Sequence, residues 1–176
     1  MDFKGYIQVY TGSGKGKTTA ALGLALRAAG RGMRTYIAQF MKKTEYGELW
    51  AIRDHLKALI TIEQFGLTEF HTTGEKISQE ERNAALAGIE AVKRAVTGGT
   101  YQIVVLDEVN VALYFKIIDI DTILEIMEQK PDQVELILTG RHAPVEIQKR
   151  ADLVTEMLEI KHYYTQNVPA RPGIEK

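Results

Sequence analysis

The chain has 176 residues, 45% hydrophobic and 26% charged, which suits one globular domain spanning residues 1–176 and leaves no room for a second. A formal net charge of −1 supplies no broad cationic field for nucleic acid and no polybasic membrane signal, and the absence of cysteine excludes disulfides, thiolate nucleophiles and cysteine-ligated metals. The start Met1-Asp2-Phe3-Lys4-Gly5 is too polar for a signal peptide and the apolar runs are too short to span a bilayer, so the expected location is cytoplasmic, with neither membrane nor nucleic acid as partner.

Tyr6-Ile7-Gln8-Val9 reads as a strand, and Tyr10-Thr11-Gly12-Ser13-Gly14-Lys15-Gly16-Lys17-Thr18-Thr19 follows it directly. Glycines let a backbone wrap an anion and aim successive N–H groups at it, and a helix opening at Thr18 adds its positive dipole end. Lys17 belongs along the phosphate oxygens, and the Thr18 hydroxyl on a bound Mg²⁺, as in Walker A loops; Lys15 is a candidate second cation. The usual pattern opens with glycine and leaves four residues between it and Gly-Lys. Here Thr11 stands at that place and Gly12 comes one residue later, so the expectation is a variant loop.

Ala20 to Ala29 is a helix stopped by Gly30-Arg31-Gly32, and Arg34 to Phe40 a second strand. Glu48 to Lys57 reads as a helix, Ile60 to Phe65 as a strand, and Phe70 to Ile77 as a loop. Ser78 and Glu81 form a capping-box pair for a helix to about Val96, ended by Gly98-Gly99. Tyr101 to Leu106 is the uninterrupted apolar strand of a parallel sheet, and its end carries Asp107-Glu108. Asp121 is placed to cap a helix over Ile123 to Glu128. Glu135 to Thr139 is a strand leading to Gly140-Arg141-His142, Pro144 opens a short helix to Ala151, Leu153 to Ile160 is a last strand, and Lys161 to Lys176 is a polar tail placed to cross the site.

Strands alternating with helices predict an α/β fold, a three-layer, mainly parallel sheet of the P-loop NTPase (RecA-like) architecture, with ligands at the carboxyl ends of the strands. A carboxylate after a buried strand holds Mg²⁺ opposite Thr18; by residue type either Asp107 or Glu108 serves, since a glutamate in the second place instead orients water in ATP-hydrolysing proteins. Arg141 has the planar fork for terminal phosphates. His55, His71, His142 and His162 share no metal-ligand spacing.

The run from Thr11 to Ala21, with Gln39-Phe40, Val105-Leu106-Asp107-Glu108-Val109-Asn110, Thr139-Gly140-Arg141, Ala151 to Met157 and Lys161-His162, resembles the P-loop ATP:cob(I)alamin adenosyltransferases, in the same order and over nearly the whole chain. The resemblance implies cobalamin biosynthesis: a Co(I) corrinoid attacks the 5′ carbon of ATP, adenosine moves to cobalt and triphosphate leaves intact. It implies that Gly12, Ser13, Gly14, Lys15, Gly16, Lys17, Thr18 and Thr19 hold the triphosphate, that Thr18 and Glu108 bind Mg²⁺, and that Lys17 and Arg141 act catalytically at the phosphates. It also implies ATP lying reversed in the loop, which suits Thr11, together with a flavoprotein electron donor and a homodimer. Family members displace cobalt's lower axial ligand with aromatic or apolar side chains from the loop before the third helix. Here Gly74-Glu75-Lys76-Ile77-Ser78 has no aromatic after the glycine, and Phe65, Phe70 and Ile77 are the nearby candidates.

The loop alone also fits a RecA-like ATPase or small kinase cleaving at the γ-phosphate, or a nucleotide-binding partner module without turnover. The products of ATP separate these readings.

Overall fold

The computed structural model describes residues 3–67 and 77–176. Six parallel strands, β1 (Ile7–Thr11), β2 (Thr35–Phe40), β3 (Ile60–Phe65), β4 (Ile103–Asp107), β5 (Glu135–Thr139) and β6 (Leu153–Glu156), form one sheet in the order β3-β2-β4-β5-β1-β6. The helices are α1 (Lys17–Ala29), α2 (Gly47–Ala51), α3 (Gln79–Thr97), α4 (Val109–Tyr114), α5 (Ile120–Gln129) and α6 (Val145–Arg150).

The handedness of parallel crossovers decides which helix covers which face. From β1 to β2 to β3 the chain steps toward one edge, so α1 and the α2 region pack on one face. From β3 to β4, β5 and finally β6 it steps the other way, which puts α3, α4, α5 and α6 on the opposite face. The core divides accordingly: Ile37, Ile103, Val105 and Ile137 pack with Ala21, Ala25 and Ala28 of α1, whereas Ala38, Val104, Leu106, Leu136 and Leu138 pack with Ile89, Val92, Ile123 and Ile147. Neighbouring residues of β4 thus point to opposite faces, and burial on both faces is why that strand reads as continuous apolar sequence.

Several boundaries differ from the sequence expectation. The segment expected as one helix over Glu48 to Lys57 is α2 followed by a wider π turn over Ile52–Leu56. Asp119, not Asp121, stands at the N-cap of α5, and Pro144 is the N-cap of α6. The last strand ends at Glu156, well short of Ile160, and Ile160 is 94% exposed. The Ser78–Glu81 capping box is present in both directions. Among the described residues no helix is long and apolar enough to cross a membrane.

Candidate functional site at the strand ends

Parallel register aligns the carboxyl ends: Tyr10 lies beside Thr139, and Gln39 beside Asp107. The loop after β1 therefore opens toward the end of β4, with β5 between them. Gly12 and Gly16 have φ of 94° and 121°, conformations that side chains strain. Thr11, by contrast, is the last residue of β1, where a β-branched residue is at home. Its hydroxyl accepts the Ala143 N–H at 3.2 Å, and its carbonyl accepts the Met157 N–H at 2.8 Å. The shifted glycine of the sequence thus falls where the positive φ falls.

The loop leans on the chain just after β6. Gly14 N–H donates to the Met157 carbonyl at 2.7 Å, and a Cβ on Gly12 would stand 2.4 Å from that same oxygen. Lys17 is buried, and its ammonium donates to the carbonyls of Gly12 at 2.8 Å and Gly14 at 2.7 Å. Burial pushes the Lys17 pKa down and Arg141 adds to this, while Glu108 and Asp107 oppose it.

A polar corner sits between α1 and β4. Thr18 Oγ1 donates to Asp107 Oδ1 at 2.8 Å, and Thr139 Oγ1 donates to the same oxygen at 2.7 Å. Gln39 Nε2 reaches Asp107 Oδ2 at 3.2 Å and Lys42 Nζ reaches it at 2.8 Å. Asp107 is 1% exposed, so these donors replace the water it has lost. The next residue, Glu108, takes a left-handed turn with φ 62°, pinned by its N–H on Thr139 Oγ1 at 3.0 Å. Burial raises the Glu108 carboxyl above the ordinary range and the Asp107 charge raises it further, against Lys42, Lys17 and Arg141. For Lys42, burial alone would lower the ammonium, yet Asp107, Glu108 and Glu48 outweigh it and raise it.

The hard oxygens of Thr18, Asp107 and Glu108 suit Mg²⁺, and a cation, Lys42, already neutralises this corner. Among the described residues no group of three His, Asp or Glu side chains is arranged to hold a metal. Such a corner fits a magnesium ion completed by phosphate oxygens, the common arrangement for this cation.

Lys15, Gly16, Lys17, Thr18, Thr19, Glu108 and Arg141 line one open cleft of 670 Å³. Gly12, Ser13 and Gly14 are not on that wall; the two glycines back onto Met157 and Leu158, and Ser13 is exposed. Lys15 is turned to the tail, donating to the Ile174 carbonyl at 2.9 Å and lying 3.6 Å from Glu175. The tail does cross the site, with His162 and residues 173–176 on the cleft wall. Arg171 holds Glu175 at 3.1 Å and stacks on Tyr163, whose hydroxyl also donates to Glu175. Of the corrinoid candidates, Phe65 packs on Phe40 and over Gly88, and Ile77 packs against the core; Phe70 and Gly74 to Lys76 lie outside the described residues. Lys42 is absent from the sequence-based site, and Gln39 and Thr139 stand in it only as parts of the quoted motifs, with no role assigned. A glutamine within an otherwise apolar strand is the one signal that pointed there, while nothing local distinguishes Lys42 from Lys43.

The family model described as ATP:corrinoid adenosyltransferase BtuR/CobO/CobP matches residues 3–175. The chain belongs to the ATP:corrinoid adenosyltransferase family. It is 36% identical to a corrinoid adenosyltransferase of Sinorhizobium over 99% of this chain and 81% of that one. It is 31% identical to that of Escherichia coli K12 over 99% and 87%, and 32% identical to the CobA enzyme of Salmonella typhimurium over 98% and 86%. A KaiC-like protein of Pyrococcus horikoshii superposes with a TM-score of 0.54 at 18% identity, covering 87% of this chain and 73% of that one, a likeness of fold alone.

Proposed function

We propose that this adenosyltransferase works by holding the polyphosphate of ATP as one leaving group while the ribose carbon is presented to cobalt. The observation that carries this reading is the convergence of Lys15, Lys17, Lys42 and Arg141 on one cleft beside the Thr18–Asp107 corner. Displacement at the 5′ carbon needs a nucleophile, supplied by the Co(I) corrinoid, and a stabilised leaving group. The electron pair of cobalt forms the Co–C bond, the C–O bond breaks, and its electrons pass to the triphosphate oxygen. No enzyme nucleophile or general base takes part, in keeping with a chain that has no cysteine.

In this reading Lys15 through Thr19, which line the cleft, and the Lys17 ammonium grip the triphosphate, Gly12 to Gly14 shape the loop from behind, Arg141 acts from just beyond β5, and Thr18 with Glu108 would hold Mg²⁺. When bound, the metal neutralises charge on the phosphate oxygens. Asp107 keeps the Thr18 hydroxyl oriented through their 2.8 Å hydrogen bond. A single domain in the cytoplasm, acting as a homodimer with a flavoprotein electron donor, completes the proposal. The test is to mix the protein with ATP and chemically reduced cobalamin without oxygen and follow the corrinoid spectrum. Conversion to an alkylated corrinoid that requires both protein and ATP supports the reading, and reoxidation to Co(II) alone overturns it.

A further inference from the structure

Lys42 lies at the corner assigned to the metal. Its ammonium stands 2.8 Å from Asp107 Oδ2 and 3.4 Å from Thr18 Oγ1, and its side chain is 16% exposed. Among the described residues it is the only cation ion-paired to Asp107. The backbone is built to bring it there. Met41 takes a left-handed conformation with φ 59°, and its N–H donates to the Phe65 carbonyl at 3.3 Å. Gly66 leaves room for the turn, since a Cβ there would stand 2.4 Å from the Lys42 backbone nitrogen. A solvated lysine needs neither the turn nor the glycine.

We propose that the Lys42 ammonium is a resident cation that keeps the metal corner filled until nucleotide arrives, so that a divalent ion enters only together with a polyphosphate. The inference rests on the reading of Thr18 with Glu108, beside Asp107, as the metal corner. Without nucleotide the corner offers two carboxylates, and the nearer one is already neutralised by Lys42; a divalent ion entering there meets a positive charge at close range. A polyphosphate brings several anionic oxygens at once. These complete the coordination of the metal and give the displaced ammonium a new partner, so metal, nucleotide and the movement of Lys42 are coupled. A purely structural counter-ion to Asp107 behaves otherwise: removing it weakens the fold without creating affinity for free metal.

The experiment is Mn²⁺ binding by electron paramagnetic resonance on the full chain. Without nucleotide, Lys42→Met should bind Mn²⁺ at least about tenfold more tightly than wild type, and Lys42→Arg, which keeps the charge, should bind as weakly as wild type. With ATP present, wild type should bind Mn²⁺ well. Lys42→Gln, which keeps a donor for Asp107, replaces the methionine variant if that one does not fold. Equal Mn²⁺ affinity of wild type and the neutral variants without nucleotide overturns the inference. Absence of Mn²⁺ from wild type even with ATP overturns the metal corner itself, and the inference with it.

Discussion

The Thr11 hydroxyl accepts the backbone N–H of Ala143 at 3.2 Å, tying the entrance of the glycine-rich loop after β1 to the turn that follows Arg141. Thr11→Val keeps the shape and removes the acceptor, leaving a buried N–H unpaired at a cost of about 1–3 kcal/mol. Calorimetry should show a melting temperature lower by roughly 2–4 °C per kcal/mol lost, with Thr11→Ser recovering most of it. A valine variant as stable as wild type would show that this bond contributes nothing.

Gly12 and Gly23 should respond to alanine in opposite ways. At Gly12 the added methyl meets the Met157 carbonyl at 2.4 Å on a backbone with φ 94°, whereas at Gly23, inside α1, it meets nothing within 4 Å. Gly12→Ala should lower ATP affinity at least about tenfold and destabilise by about 1–3 kcal/mol. Gly23→Ala should stabilise by about 0.4–1 kcal/mol in urea unfolding, through the reduced entropy of the unfolded chain.

In the proposed mechanism, Lys17→Ala removes a buried cation from the charge that develops on the departing triphosphate. The expected loss in kcat/KM is about 10²–10³-fold, the scale of removing one preorganised group from a transition-state charge. Circular dichroism and melting should show the fold retained. Wild-type turnover by this variant would remove the lysine from the mechanism.

The tail over the cleft should stay closed at every pH near neutral. Hydrogen bonds from Arg171 and Tyr163 hold the Glu175 carboxyl far below the usual carboxylate range. A depressed folded pKa gives stability that is fully present above the unfolded value of about 4.3 and is lost only as pH falls through the folded value. Cleavage by trypsin after Lys161 should therefore be as slow at pH 6 as at pH 8 once corrected for the protease's own pH dependence. Glu175→Gln should be cut several-fold faster at both. Equal rates for variant and wild type would show that the carboxylate does not hold the tail.

The sequence made the order of strands and helices legible because each element keeps its own period and its own stop signals, from the alanines of α1 to the capping box at Ser78. It did not reveal α4, a six-residue helix too short to show a period, which begins at a left-handed Glu108. Nor did apolar character mark the end of β6, because Leu158 and Ile160 are exposed although they look like strand core. At the site, the loop spacing and the strand ends place Lys17, Thr18 and Arg141, and all three line one cleft; spacing left Asp107 and Glu108 open, and only the resemblance singled out Glu108. Lys42 was not legible, and neither were the contacts of Gln39 and Thr139 with Asp107, because these groups meet only through the order β2-β4-β5, a relation between strands far apart in sequence.

The most direct test of the central claim follows the phosphorus atoms. With ATP and reduced cobalamin, ³¹P NMR should show one intact triphosphate appearing for each adenosylated corrinoid, with no ADP or orthophosphate formed in step with it. Stoichiometric ADP, or phosphate released as the corrinoid is consumed, would mean that the chain breaks a phosphoanhydride bond, and would contradict the account.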